Sequence, residues 1–105
     1  MVNIAEEIGE PAMLEQLAEE CSELAQAALK LARKMRGDNP TPVSIDECRR
    51  NVLIEYADVD VCIAELTTRP WWSDDFVADT EDFKMNRWRS RIGSRSVQDG
   101  ASGSR

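Results

Sequence analysis

The spacing of apolar residues is the feature that most constrains how this chain can fold. In two long segments, apolar or small residues alternate three and four positions apart, which is the repeat of an amphipathic α-helix. The first stripe comprises Leu14, Leu17, Cys21, Leu24, Ala28, Leu31 and Met35. The second comprises Ile45, Cys48, Val52, Val59, Cys62 and Leu66, and the one member of this series that is not apolar is Glu55. The pattern predicts an all-α fold.

Residues with known preferences for helix ends set the bounds of these two helices. Pro11 suits the first turn of a helix, and Gly37 suits the position after its end. Ser44 and Glu47 form an S-x-x-E capping box at the start of the second helix. A short loop over residues 37–42 joins the two helices, so we expect them to pack antiparallel.

A third, shorter helix is predicted from Asp79 or Thr80 to about Ile92, with Met85 and Trp88 on its apolar face. Residues 1–9 or 73–78 are candidates for a further short helix. We expect residues 1–92 to form one helical domain. Residues 93–105 are rich in Gly and Ser, and we expect them to be a disordered polar tail.

The second helix is apolar on most of its sides, because Leu53, Ile54 and Val61 lie outside its main stripe. A helix of this kind is buried on more than one face. The chain has only 105 residues and cannot bury such a helix well alone. We therefore expect an antiparallel helical bundle that is completed by oligomerisation, as a homodimer or a homotetramer.

Composition excludes several classes of function. The chain has no histidine, which excludes a Ser-His-Asp triad, a Cys-His dyad and a His-ligated zinc site. The net charge is −7, which argues against a nucleic-acid partner. The charge is unevenly distributed: residues 1–83 carry 7 basic and 19 acidic side chains, whereas residues 84–105 carry 6 basic and one acidic.

Localisation is predicted from what the chain lacks and from its cysteines. No apolar run reaches the roughly 20 residues of a membrane span, and the first residues do not resemble a signal peptide. Cys21, Cys48 and Cys62 lie far apart, each within an apolar helical pattern. We interpret them as reduced core residues of a cytoplasmic protein without a membrane partner.

Two groups of carboxylates lie where a helix is expected to be partly buried. Glu20 and Glu23 flank the first apolar stripe, and Glu55 and Asp58 flank the second. Antiparallel packing would bring these two i,i+3 pairs into one partly buried pocket. Unpaired carboxylates there would repel one another. Either a hard divalent cation such as Mg²⁺ or Mn²⁺, or Lys and Arg partners, would relieve the repulsion.

These residues also carry a family resemblance. The motif Glu19-Glu20-x-x-Glu23 followed by Glu55-x-x-Asp58 resembles the EExxE…ExxD signature of the MazG-like all-α nucleoside triphosphate pyrophosphohydrolases. The segments EECSELAQAALKLARK and NVLIEYADVDVCIAEL are similar to the two motif helices of that superfamily, and KMNR is similar to the basic helix that follows them. The resemblance covers residues 10–92, with an unusually long interval between the two motifs.

The resemblance implies a Mg²⁺-dependent hydrolase that cleaves a nucleoside or deoxynucleoside triphosphate to a monophosphate and pyrophosphate. It implies that Glu20, Glu23, Glu55 and Asp58 bind the metal, and that Glu19 either binds a further metal or orients the attacking water. A carboxylate such as Glu20 would accept the proton of that water. The candidates for binding phosphate are Lys30, Lys34, Lys84 and Arg87, with Arg91 on the same helix.

The sequence does not determine which residues would contact the base. Trp71, Trp72, Trp88 and Asn86 are candidates, although tryptophan is more often a core or interface residue. Two other functions also stay open: a helical module that binds nucleotide and metal with little or no catalysis, and an acidic helical dimer with a structural role.

Overall fold

The computed structural model describes residues 3–38 and 42–102, with side chains as far as Ser94. These residues form four helices and contain no β-strand: α1 (Ile4–Ile8), α2 (Glu10–Arg36), α3 (Ile45–Leu66) and α4 (Asp74–Ser102). The predicted all-α fold is therefore confirmed. Among the described residues, none of the helices combines the length and the apolar character that crossing a bilayer requires.

Helix α2 begins and ends close to the predicted residues, and glycines with positive φ stand at both of its ends. Gly9 (φ 92°) separates α1 from α2, and Pro11 lies in the first turn of α2. Gly37 (φ 77°) follows the last helical residue, and its N–H donates to backbone carbonyls of the final turn. A side chain at either glycine would be strained, because L residues rarely adopt this conformation.

The predicted cap of the second long helix is also present. The Ser44 hydroxyl accepts a hydrogen bond from the backbone N–H of Glu47 at 3.1 Å, and α3 begins at Ile45. Of the predicted connecting loop over residues 37–42, positions 39–41 lie outside the described residues.

Helices α2 and α3 pack against each other and run antiparallel, since Lys30 and Cys48 share one cleft while Met13 packs with Cys62 and Leu66. The more buried row of α2 comprises Leu17, Glu20, Leu24, Ala27 and Leu31. This row shares Leu17, Leu24 and Leu31 with the predicted stripe but has Glu20 in place of Cys21, so that Cys21 is exposed. The prediction that Cys21 is a core residue is therefore wrong, whereas Cys48 and Cys62 are buried and all three thiols are free.

The core lies where the short helix α1 meets the ends of α2 and α3. Ala5, Met13, Cys62 and Leu66 are buried together, and Leu17 and Trp72 pack against them. Polar contacts hold α1 in place: the Ala5 N–H donates to the Glu65 carboxylate at 3.1 Å, and Arg69 pairs with Glu6 at 3.4 Å. The candidate helix within residues 1–9 is therefore α1.

The chain divides into two compact units, Met1–Trp72 and Ser73–Arg105. The second unit consists of α4, whose first turn is capped by the Ser73 hydroxyl accepting from the Phe76 N–H at 3.1 Å.

Helix α4 is longer than predicted at both ends. It begins five residues before Asp79 and continues ten residues past Ile92, into the segment predicted to be a disordered tail. The backbone hydrogen bonds of a helix are local, so they extend beyond the residues that an apolar pattern marks. Residues 103–105 of the predicted tail lie outside the described residues.

Candidate metal and phosphate site

Four carboxylates from the two long helices meet at the α2–α3 contact. One oxygen from each of Glu20, Glu23, Glu55 and Asp58 lies within 4.8 Å of the others. These are the four residues that the sequence spacing brings together. An i,i+3 pair on each helix projects from one side, and antiparallel packing aligns the two pairs.

Each helix contributes one half-buried glutamate and one exposed acid. Glu20 and Glu55 each occupy a position in the packed row of their helix, whereas Glu23 and Asp58 lie one turn away and are exposed. The Oε2 atoms of Glu20 and Glu55 each have less than 1 Å² of accessible surface and no hydrogen-bond partner. Oxygens of this kind are costly to bury, because they lose water without gaining a replacement.

The cluster perturbs two titratable groups. Desolvation raises the pKa of Glu20 above its ordinary value, and the carboxylates of Glu23, Asp58 and Glu19 raise it further. A hydrogen bond from the Gln16 amide to Glu20 Oε1, at 2.8 Å, partly opposes this rise. Burial also raises the pKa of the Cys62 thiol, with smaller contributions from the charges of Glu20 and Asp58. Both shifts show that the site disfavours additional negative charge.

The raised pKa predicts that Glu20→Gln stabilises the chain in a buffer without divalent cations. A glutamate with a raised pKa binds its proton more tightly in the folded than in the unfolded state, so its ionisation opposes folding above its ordinary pKa of 4.5. We expect the variant to melt at a higher temperature at pH 7 to 8. The difference should shrink as the pH falls below 4.5. Thermal melts of both proteins in chelator from pH 3.5 to 8 measure this difference in melting temperature. A difference that stays constant across this range would contradict the prediction.

A polar cleft opens from the carboxylates toward the loop between α2 and α3. Its volume is about 330 Å³, within the range of small-molecule sites. Glu23 and Glu55 lie at one end, and Lys30 and Asn51 contribute a cation and an amide. The other residues that line it are Gln26, Ala27 and Cys48. The cleft therefore places donors for anionic oxygens beside the acids.

A second cleft opens from the same carboxylates toward α1. Its volume is about 400 Å³, and its acidic members are Glu20 and Asp58. The remaining residues that line it are Ile4, Ile8, Met13, Val61, Cys62 and Gln16. Five of these six side chains are apolar, so this cleft differs in chemistry from the cleft that contains Lys30. The carboxylates thus stand between a polar and an apolar cavity.

The other predicted site residues are more scattered. Glu19 is exposed on α2 and is not one of the four clustered acids. Lys34 is half-buried one turn beyond Lys30. Lys84 and Arg87 belong to the second unit, where they line a groove on α4 with Trp88 and Arg91.

The three tryptophans that are candidates for base contact do not line either cleft beside the carboxylates. Trp72 packs on the core of the first unit. Trp71 is exposed and donates its indole N–H to Glu10, and Trp88 is exposed on α4. The side chain of Asn86 is likewise exposed on α4.

Sequence reasoning missed the two amides beside the glutamates. Gln16 precedes Glu20 by four residues, and Asn51 precedes Glu55 by four residues. Side chains spaced i,i+4 lie on the same face of a helix, so an amide one turn before Glu20 and before Glu55 was a usable signal.

A comparison of the chain with protein-family models, with curated proteins and with solved structures gives no match.

Proposed function

We propose that the chain is a Mg²⁺-dependent hydrolase that cleaves a nucleoside triphosphate to a monophosphate and pyrophosphate. The observation that carries the proposal is the set of four carboxylates within 4.8 Å of one another, flanked by a cleft that contains Lys30. The resemblance of residues 10–92 to MazG-like pyrophosphohydrolases supports the same activity. The combination of a carboxylate cluster and a lysine is suited to a ligand that consists of phosphate and metal.

The donor set fits a hard divalent cation. Mg²⁺ and Mn²⁺ prefer oxygen ligands, and carboxylates are the oxygens that most often hold them in proteins. The Oε2 atoms of Glu20 and Glu55 lack partners, and the pKa of Glu20 is raised by desolvation and by its acidic neighbours. A cation at this position would satisfy the oxygens and offset the repulsion. When bound, Mg²⁺ supplies charge neutralisation for phosphate oxygens and acidifies water.

The polar cleft suits the phosphate groups of the substrate. Lys30 carries a positive charge into it, and Asn51 and Gln26 offer amide N–H donors. These groups lie beside Glu23 and Glu55 in the same cleft, so a phosphate chain there would lie next to the metal-binding oxygens. Lys34, Lys84 and Arg87 remain proposed contributors to phosphate binding.

The reaction requires one proton acceptor. Water attacks the α-phosphorus, its proton passes to a carboxylate, and the bond between the α-phosphorus and the bridging oxygen to the β-phosphorus breaks. We assign the acceptor role to Glu20, which belongs to the carboxylate cluster that would hold the metal beside the attacking water. Glu19, which is exposed at the next position, would orient the water or hold a second cation.

The apolar cleft suits the nucleoside. Ile4, Ile8 and Val61 are exposed and present an apolar wall that a base or sugar could cover. Glu23 and Glu55 line the polar cleft, whereas Glu20 and Asp58 line the apolar cleft. A nucleotide with its phosphates near Lys30 would therefore extend its base past the carboxylates toward α1.

We propose that the chain acts as a homodimer or homotetramer. Three exposed side chains support an apolar contact on α3: Leu53, Ile54 and Tyr56. Leu53 retains 69% of its accessible surface. Apolar side chains in this number on one helix are typical of a subunit contact.

The test is a panel of ribonucleoside and deoxyribonucleoside triphosphates with Mg²⁺, followed by product analysis. We expect a monophosphate and pyrophosphate in equal amounts, with turnover that chelator abolishes. A preference among bases would be expected if the apolar cleft holds the nucleoside. Release of orthophosphate, or no turnover of any member, would overturn the proposed activity. Binding without turnover over hours would favour a binding module instead.

A further inference from the structure

We infer that Gln16 is a positioning residue that makes the carboxylate cluster select Mg²⁺ over Ca²⁺. Its amide holds one oxygen of Glu20, which leaves the other oxygen of that side chain to bind a cation. The inference rests on the proposed function, because it concerns the cation that the four carboxylates would hold. It adds the selectivity of that site and the residue that sets it.

The first observation is the hydrogen bond between the two side chains. Gln16 lies one turn before Glu20 on α2, and its Nε2 donates to Glu20 Oε1 at 2.8 Å. An ionised carboxylate only accepts hydrogen bonds, so the contact fixes the amide with its nitrogen toward the glutamate. Side chains at this spacing are neighbours on the helix surface, so the backbone of α2 holds the pair together. Glu20 Oε1 is therefore tied to a side chain that is not one of the four clustered acids.

The second observation is that the two oxygens of Glu20 have different surroundings. Oε1 accepts from Gln16, whose side chain is exposed, whereas Oε2 has less than 1 Å² of accessible surface and no hydrogen-bond partner. Bidentate binding requires both oxygens of a carboxylate to face the same cation. That orientation would turn Oε1 away from the Gln16 amide and break the hydrogen bond. The amide therefore favours binding through Oε2 alone.

The number of oxygens that a carboxylate provides separates the two cations. Ca²⁺ takes about six to eight oxygens and readily accepts bidentate carboxylates, whereas the smaller Mg²⁺ demands a nearly ideal octahedron of about six ligands. The cluster brings together one oxygen from each of its four acids. Four single oxygens leave the remaining positions of an octahedron to water or phosphate. A second oxygen from Glu20 would crowd Mg²⁺ and suit Ca²⁺, so restraint of Oε1 favours Mg²⁺.

The test is a calorimetric titration of the full chain with MgCl₂ and with CaCl₂, on the unmodified protein and on Gln16→Met. Methionine is close to glutamine in length and suits a helix, but it cannot donate a hydrogen bond. We expect the variant to bind Mg²⁺ about tenfold more weakly, as is typical when a residue that orients a metal ligand is removed. Binding of Ca²⁺ should stay the same or become tighter, because Glu20 is then free to offer both oxygens.

The ratio of the two dissociation constants separates positioning from a general structural effect. A loss of packing would weaken both cations alike, and the substitution leaves the net charge unchanged. Gln26→Met makes the same change at an exposed position of α2, and it should leave both constants unchanged. The titration contains no nucleotide, so the proposed phosphate contact of Gln26 does not enter.

The outcomes distinguish this inference from the proposed function. Equal weakening of both cations, or a ratio that Gln16→Met leaves unchanged, would overturn the inference while the proposed metal site stands. Failure of the unmodified chain to bind either cation would overturn the inference and the proposed metal site together.

Discussion

Substitution of Glu55 by Gln is expected to lower triphosphate turnover by more than about a hundredfold while leaving the helices folded. The amide is close in shape to the carboxylate but carries no charge, so it is a much weaker ligand for Mg²⁺. Glu55 is also one of the two glutamates with a buried, unpartnered oxygen, which makes it a central member of the cluster. Steady-state release of pyrophosphate measures the effect.

The control for this substitution lies on the same helix. Asp60 is exposed on α3, two residues after Asp58, and is not one of the clustered acids. Asp60→Asn changes the net charge as Glu55→Gln does, and it should keep full turnover. Far-ultraviolet circular dichroism should show equal helix content in both variants. Undiminished turnover in Glu55→Gln would exclude the cluster as the catalytic centre.

Mg²⁺ is expected to raise the melting temperature of the chain by about 10 °C or more. A cation at a concentration of 100 times its dissociation constant stabilises the native state by about 2.7 kcal/mol if it binds only that state. For a domain of this length, each kcal/mol corresponds to several degrees. Relief of the repulsion at Glu20, whose pKa is raised by desolvation and by the neighbouring acids, contributes to the affinity for the cation.

Two comparisons separate specific binding from general screening of charge. NaCl at equal ionic strength should give a much smaller rise, because screening acts on all 20 acidic residues and not on the cluster in particular. Asp58→Asn should lose most of the Mg²⁺-dependent rise, whereas Asp60→Asn should keep it. A melting temperature that does not respond to Mg²⁺ would favour an acidic helical dimer with a structural role.

The bounds of α2 and the start of α3 are the parts of the fold that could be predicted best from the sequence, because the signals that set them are local. Pro11, Gly37 and the Ser44 cap each act within a few residues of the helix end that they define. The start of α4 was harder to locate. Pro70 and two tryptophans made residues 67–79 resemble a loop, although Ser73 caps a helix there.

The clustering of the four acids could also be predicted, because two i,i+3 pairs and a short connection leave few alternatives. The exact side of α2 that packs against α3 could not be predicted from the sequence. The observed row keeps Leu17, Leu24 and Leu31 but includes Glu20 and leaves Cys21 exposed, which corresponds to a rotation of the helix by roughly 50°, half the angle between successive residues. A rotation of that size depends on how the side chains of α2 and α3 fit together, and apolar spacing on one helix does not contain that information.

The sequence by itself determined the all-α class, the bounds of α2 and the start of α3, and the two acidic pairs that meet, because each depends on helical periodicity or on contacts within one turn. The tertiary structure alone decided that α1 forms one wall of an apolar cleft. It also decided that Lys30 and Asn51 share a polar cleft with Glu23 and Glu55, and that two glutamate oxygens are buried without partners. These features join residues far apart in the chain, so they exist only once the packed helices exclude water from the space between them.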